Sequence, residues 1–288
     1  MACSVAVETP CKINLHLGVH HQKDARGYHR VDSVMVPVAL TDVVEARPAS
    51  GLSVSFEPPL EVPVEKTGVW RAATLLAEAL GVSPDVEIRV RARIPERAGL
   101  GGSSADAGAA LRALCELWGA DPCDPRVVGV ARGVGADVAF FLHPEPALFL
   151  GAGDVLERAF PPLDVPLVLV MPGSMGGSTP EAYAEFDRAG SDPAPYDEMC
   201  AALQTGVVSA VASHLHNNLG DAARSLCPEI ADVEAWLRAQ SEVLAAQVTG
   251  SGSCSFGLCQ SAEAAREVAT RAASERGWRS WATKTWTD

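Results

Sequence analysis

The feature that limits this chain most is the run Pro95-Glu-Arg-Ala-Gly-Leu-Gly-Gly-Ser-Ser-Ala-Asp-Ala107, three glycines and two serines set between two periodic segments. Before it, Val86 to Ile94 alternates Val and Ile with Glu and Arg, the period of a half-buried strand, and stops at Pro95. After it, Ala105 to Trp118 is rich in Ala and Leu and reads as a helix that starts at the serine pair. Strand, glycine loop and helix in that order make an anion-binding arrangement. Glycines let successive backbone N–H groups turn inward, and the helix adds unpaired N–H groups and the positive end of its dipole. Ser103 and Ser104 offer hydroxyls to phosphate or to its magnesium ion. The plainer alternative is a tight turn with a serine cap, which would not need so many glycines.

Two common nucleotide loops are excluded, since neither G-x-x-x-x-G-K-[ST] nor G-x-G-x-x-G occurs in the chain. The catalytic-loop pattern of protein kinases is absent too. At 288 residues the chain exceeds the usual single domain, and Pro161-Pro162 marks a break. We expect a first domain over 1–158 that binds nucleotide and substrate, and a second over 159–288. A composition of 48% hydrophobic and 20% charged residues is that of a globular protein. The net charge of -13 argues against a nucleic-acid binder, although Lys12, Lys23, Arg26 and Arg30, and again Arg89, Arg91, Arg93 and Arg97, give local positive patches. The eight cysteines, at 3, 11, 115, 123, 200, 227, 254 and 259, form no C-x-x-C pair and read as free thiols. With no signal-like N-terminus and no apolar run of spanning length, the expectation is a cytoplasmic protein with no membrane or nucleic-acid partner, monomeric or homodimeric.

Val5 to Glu8 reads as a short strand broken at Thr9-Pro10, and Lys12 to Leu17 as a second whose alternation puts Lys12, Asn14 and His16 on one face. His20 to Tyr28 reads as a loop, with strands at Val34 to Val38, Val43 to Ala46 and Leu52 to Phe56. A helix is expected from Trp70 to Leu80, ended by Gly81, and shorter ones at Arg126 to Gly133 and Pro180 to Phe186. Ala147 to Leu150 and the apolar Val165 to Met171 read as strands. Helices at Glu198 to Leu203, Val207 to Leu215 and Ile230 to Ala239 precede a hairpin, Leu244 to Val248 with Cys254 to Cys259, around a second Gly/Ser loop. The chain closes with a helix over Ala262 to Arg276 and a strand over Arg279 to Thr285. Gly135-Ala-Asp137 places a carboxylate just before the apolar run Val138 to Leu142, where burial would orient it as a base or, more plainly, as a helix cap.

With these residues in place, the loop resembles the P-x-x-x-G-L-G-S-S-A-A signature of the GHMP kinases, the superfamily of galactokinase and of homoserine, mevalonate and phosphomevalonate kinases. Cys11-Lys-Ile-Asn-Leu15 is similar to its first motif and Val248-Thr-Gly-Ser-Gly-Ser-Cys254 to its third. The resemblance implies a two-domain α+β fold, an N-terminal ribosomal-protein-S5-like domain and a C-terminal ferredoxin-like domain with the active site in the cleft. It implies ATP and magnesium as cofactors, held along Pro95, Ala98, Gly99, Leu100, Gly101, Gly102, Ser103, Ser104 and Ala105, with Ser104 a ligand of the metal. It assigns catalysis to Lys12 and Asp137, the Asp taking a proton from the acceptor hydroxyl and the Lys neutralising charge.

Gly27-Tyr-His29, Gly135-Ala-Asp-Val-Ala-Phe-Phe141, Gly151-Ala-Gly-Asp154 and Ser178-Thr-Pro-Glu-Ala-Tyr183 are most similar to the branch that phosphorylates a cytidine-diphosphate-linked methylerythritol. For that small-molecule substrate the resemblance implies contacts from Asn14, Tyr28, His29, Asp106, Gly250, Ser251 and Gly252, with Tyr28 and His29 at the cytidine. Read from residues alone, Asn14 is equally a buried structural amide and Asp106 equally a cap of its own helix. The chain departs from the branch in three places. Arg-x-Asp-Gly-Tyr-His becomes Asp24-Ala-Arg-Gly-Tyr-His29, Ser103 stands where a third glycine is common, and Cys11 replaces a small residue. A sibling kinase for mevalonate, a sugar or homoserine would lack Gly27-Tyr-His29, and a non-catalytic nucleotide-binding homologue would have lost Lys12 or Asp137.

Overall fold

The structure, a computed structural model, describes residues 4–174 and 176–287. Its contacts group the chain into two compact units. The first holds the residues up to Cys11, Leu40–Glu96 and Gly101–Pro144; the second holds Lys12–Ala39, Arg97–Leu100 and the chain from Glu145 onward. Two long strands, β1 (Val5–Lys23) and β2 (His29–Pro48), run from one unit into the other.

In the first unit β3 (Ser53–Glu57), α1 (Gly68–Leu80), β4 (Val86–Arg91), α2 (Gly102–Trp118) and α3 (Pro125–Val134) follow in sequence. The strands lie in the order β3, β4, β2, β1, with β3 parallel to β4 and β4 antiparallel to β2 over Val43–Pro48. Alternation in β4 buries Val86, Ile88 and Val90, which share one apolar core with Ala72, Ala73 and Leu76 of α1 and Ala110, Leu111 and Leu114 of α2. α1 ends at Gly81 in the left-handed conformation (φ 68°), as its sequence predicts. Small residues set the spacing of the helices. Behind α2 runs a short 3-10 helix, Ala136–Leu142, and a Cβ added at Gly108 would lie 2.4 Å from the Cβ of Phe141.

The second unit continues with β5 (Ala147–Leu150), β6 (Val155–Ala159), β7 (Pro166–Met171), α4 (Thr179–Ala189), α5 (Asp197–Thr205), α6 (Val208–Ser213), β8 (His216–Asn217), α7 (Gly220–Leu226), α8 (Glu229–Arg238), β9 (Val243–Val248), β10 (Ser255–Cys259), α9 (Ala262–Arg276) and β11 (Arg279–Lys284). β7, β9, β10 and β11 form an antiparallel sheet in the order β11, β7, β10, β9. Val168 and Val170 of β7 pack with Val233 and Leu237 of α8 and Val268 and Ala272 of α9. The early part of β1 in this unit pairs with β8 at His16 and Leu17, and β2 pairs with β5 over Ser33–Met35.

Several boundaries differ from the sequence reading. Thr9-Pro10 does not break β1: both residues are buried within one 19-residue strand, since the fixed φ of proline suits an extended chain even though its N–H is missing. β2 is likewise one strand through Ala39 to Asp42, because partners on both halves, β5 and β4, hold the weak middle extended. α2 begins at Gly102, ahead of the serine pair, with Gly101 (φ 76°) at its N-cap and no side-chain cap. β6, β8 and α7 carry no periodic signal that the sequence reading picked out. Cys11, Cys115, Cys123, Cys200, Cys227, Cys254 and Cys259 are free thiols, and Cys3 lies outside the described residues. Among the described residues no helix is long and apolar enough to cross a membrane.

The packing of α2 yields a direct test. Gly108→Ala places a methyl against Phe141, and thermal denaturation should show a loss of about 1–3 kcal/mol, the usual cost of overpacking a filled core; an unchanged midpoint would mean that α2 and the 3-10 helix are not in contact there.

Candidate active site

In the second unit the polar residues of β1 meet the loop after β9. Lys12 is only 3% exposed, and its Nζ donates to Oδ1 of Asn14 at 2.7 Å. Asn14 is held on every side. Its N–H donates to Oγ1 of Thr249 (3.0 Å), the Thr249 hydroxyl donates back to Oδ1 (3.2 Å), and Nδ2 donates to Oγ of Ser33 (3.0 Å). Because an ammonium can only donate, Oδ1 must face Lys12, which leaves Nδ2 to the Ser33 hydroxyl, so the amide orientation follows from its partners. A buried ammonium needs such partners, since an unpaired one would cost several kcal/mol.

The first part of the glycine loop lies against the same segment. The Leu100 carbonyl accepts from the Lys12 N–H (2.9 Å), the Ala98 carbonyl from the Cys254 N–H (3.1 Å) and the Arg97 carbonyl from the Ser253 N–H (3.3 Å). The approach is backbone to backbone: a Cβ on Gly99 would sit 2.1 Å from the Thr249 carbonyl oxygen, and one on Gly250 would meet the Gly99 carbonyl oxygen at 3.0 Å and Nζ of Lys12 at 3.3 Å. Gly99 (φ 73°), Gly250 (φ 55°) and Gly252 (φ 81°) are in the left-handed region, as is Arg97 (φ 52°), alone among the described non-glycine residues. Asn217, in β8, clamps the second glycine loop with Nδ2 bonds to the carbonyls of Val248 (3.0 Å) and Gly250 (2.9 Å). Ser251 is half-buried, its Oγ 3.1 Å from Oγ1 of Thr179.

The rest of the glycine loop belongs to the first unit. Pro95 is buried before it, and Gly101 leads into α2, whose N–H of Ala105 bonds to the Gly101 carbonyl (2.8 Å). Ser103 is exposed and Ser104 half-buried on the first turn, so both hydroxyls are open to a ligand at a helix start that carries no side-chain cap. Asp137 sits half-buried in the first turn of the 3-10 helix. Asp106 is turned inward. Its carboxyl is 6% exposed and hydrogen-bonded to Asp42, and burial, followed by the charge of Asp42, pushes its pKa well above the ordinary value. Asp42 holds the N–H groups of Arg93 and Ile94 on Oδ1, which makes it the ionised partner and Asp106 the protonated one.

The structure separates Tyr28 from His29. Tyr28 is 56% exposed with the Arg26 guanidinium 5.3 Å from its ring centre, whereas the buried His29 stacks on Tyr183 (5.3 Å, 24°) and meets Phe186 edge-on. In the altered Asp24-Ala-Arg26 approach the two charges pair with each other. Arg26 donates to Asp24 (2.7 Å) and to the buried Asp154 (3.0 Å), while Asp24 Oδ1 accepts the N–H groups of Arg26 and Tyr28. His16 packs beside His216 and Tyr196, and burial, then His216, lowers its pKa to about 4, so it is neutral. Thr249, Ser33, Asn217, Tyr183 and Asp42 were not anticipated. Only Thr249 and Tyr183 lie inside the motifs named above; Ser33 and Asp42 are polar residues in mostly apolar strands, and Asn217 sits in a two-residue strand without a period.

Residues 68–145 match the family described as GHMP kinases N terminal domain, and residues 199–277 match GHMP kinases C terminal. The chain is 40% identical over 264 residues to the 4-diphosphocytidyl-2-C-methyl-D-erythritol kinase of Pelotomaculum thermopropionicum, covering 90% of this chain and 91% of that one. It is 38% identical to the enzyme of the same name from Rhodococcus jostii, covering 93% and 88%. The crystal structure of a 4-(cytidine 5'-diphospho)-2C-methyl-D-erythritol kinase is similar over 99% of this chain and 100% of that chain, with TM-score 0.79 and 32% identity. Homoserine kinase from Cytophaga hutchinsonii shares the fold, with TM-score 0.73 at 19% identity over 99% of this chain and 95% of that chain.

The Asp106–Asp42 pair gives a pH prediction. Above the unfolded value of 3.8 the folded protein keeps a proton on Asp106 that the unfolded chain has released, so this group's contribution to stability falls as pH rises toward its raised folded pKa. Asp106→Asn lacks that titration, and its melting temperature relative to the unaltered protein should therefore be higher at pH 8 than at pH 5. A difference independent of pH would show that Asp106 is ionised in the folded state.

Proposed function

The chain belongs to the GHMP kinase family, in the branch of the 4-diphosphocytidyl-2-C-methyl-D-erythritol kinases, and on that premise we propose that it transfers a phosphoryl group from ATP to the 2-hydroxyl of 4-diphosphocytidyl-2-C-methyl-D-erythritol, a step of non-mevalonate isoprenoid precursor synthesis. The observation that carries the reading is the buried ammonium of Lys12, held by Asn14, which Thr249 in turn fixes, beside the backbones of Gly99 and Gly250. A cation kept in place at a glycine cradle is suited to charge that moves between phosphate oxygens, because phosphoryl transfer is catalysed largely by positioning and electrostatics.

The residues divide the work by chemistry. Backbone N–H groups from Ala98 to Ser104 bind the triphosphate, with Pro95 and Leu100 shaping the bend and Ala105 closing the first turn of α2 through its N–H on the Gly101 carbonyl. Gly99 and Gly250 leave no space for side chains, because the backbones of the two glycine loops meet there, and that approach brings the Lys12 ammonium to the loop. Asp137 accepts the proton of the acceptor hydroxyl. Lys12 neutralises charge on the transferring group, and Asn14, Ser251 and the neighbouring Gly250 and Gly252 line the acceptor. Magnesium, when bound, supplies a hard cation that neutralises phosphate oxygens; the hydroxyl of Ser104 is an oxygen donor of the kind it takes. The stacked His29 and Tyr183, with the exposed Tyr28, form aromatic surfaces of the size of a pyrimidine.

The purified protein should release ADP in a coupled assay with the cytidylated methylerythritol and not with mevalonate or homoserine offered in parallel; turnover confined to either of the latter would overturn the substrate assignment. Asp137→Asn should lower kcat by about a hundredfold or more while ATP affinity stays within about threefold. Unchanged kcat would remove Asp137 from the chemistry.

A further inference from the structure

We propose that Asp42 is a positioning residue for the phosphate-binding loop, its single carboxylate tying together the chain that enters the loop and the helix that leaves it. The inference rests on the nucleotide-binding reading of that loop. Asp42 lies in β2, is 1% exposed, and takes the N–H groups of Arg93 and Ile94 on Oδ1, the latter at 2.9 Å. The other end arrives through α2, whose Asp106 donates a hydrogen bond from its carboxyl to Asp42 and leaves Oδ1 without a partner. Between these anchors run residues 95–105, with glycines at 99, 101 and 102. A glycine-rich segment loses more conformational entropy on ordering than any other, so closing it at both ends on a sheet strand keeps it poised for a ligand. The two ends of the loop also lie close together, since a Cβ added at Gly102 would lie 3.1 Å from Cγ2 of Ile94.

The arrangement also explains the proton on Asp106. Two buried carboxylates side by side cannot both be ionised, and Asp42, with two backbone N–H donors, keeps the charge. A neutral Asp106 leaves the positive end of the α2 dipole uncompensated for an anion, whereas an ionised one would compete with phosphate. Charge and tether are thus settled by one hydrogen bond.

The test reads nucleotide binding without an acceptor, so that it does not depend on the acceptor assignment. Isothermal titration of magnesium-ATP into Asp106→Ala should show Kd raised about tenfold or more, the weight of a hydrogen bond to a charged group. Asp106→Asn, which still donates to Asp42, should bind within about threefold of the unaltered protein. In Asp106→Ala, amide hydrogen exchange should quicken at residues 97–104 while the core strands stay protected, a local readout available even at reduced stability. ATP affinity and loop exchange unchanged in Asp106→Ala would overturn the proposal. So would Asp106→Asn binding ATP as poorly as Asp106→Ala, or an effect confined to the acceptor KM, which would make Asp106 an acceptor contact. An unaltered protein that binds no ATP would remove the nucleotide reading itself, and the proposal with it.

Discussion

The closest constraint in the molecule is between two backbones. Gly99 approaches Thr249 so nearly that a single methyl group would overlap the Thr249 carbonyl, and three hydrogen bonds from the segments Lys12 and Ser253-Cys254 reach the carbonyls of Arg97, Ala98 and Leu100. Residues from the start, middle and end of the chain depend on this contact. Lys12 is placed by its N–H on Leu100, Asn14 by Thr249, and Gly250 by the amide of Asn217. A side chain at either Gly99 or Gly250 would separate the parts, so the composition of the loops follows from the distance rather than from flexibility in general.

Around this contact, buried charge is managed by local partners rather than by long-range pairing. The Lys12 ammonium has the carboxamide of Asn14, whose other groups are committed to Thr249 and Ser33 and so cannot turn away. Glu234, 1% exposed, accepts from the Val248 N–H and from Arg224, steadying the strand that leads into the second glycine loop. Asp42 and Asp106 reach the same end by sharing a proton. In each case removal of one partner would leave an unpaired group in a dry interior, which costs more than the bond itself is worth.

Much of this was legible in the sequence, for identifiable reasons. The loop with Gly99 and Gly101, the helix that runs to Trp118, the hairpin around Gly250 and the helix over Ala262–Arg276 carry strong local signals of period or punctuation, and the structure has them. β1 and β2 were harder. Thr9-Pro10 and Ala39 to Asp42 look like breaks locally, but pairing with other strands holds them extended. The serines after Gly102 suggested a cap because serine caps helices so often, whereas the left-handed Gly101 takes that position and leaves the hydroxyls open. Asp42 gave no sign of its part, because a lone Asp in a Val-rich strand acquires meaning only when Ile94 and Asp106 meet it in space. Asp24 and Arg26 show the converse: their order departs from the family pattern, and the structure shows them paired, with Asp24 also accepting the Tyr28 N–H in the turn.

In the function proposed above, this chain moves a phosphoryl group to one hydroxyl of a cytidylated polyol. Phosphorus-31 NMR of the protein with magnesium-ATP and 4-diphosphocytidyl-2-C-methyl-D-erythritol tests it most directly. One new phosphomonoester resonance should grow in step with ADP, with the diphosphate signals of the acceptor retained. Appearance of inorganic phosphate alone, or an unchanged spectrum from folded protein, would contradict it.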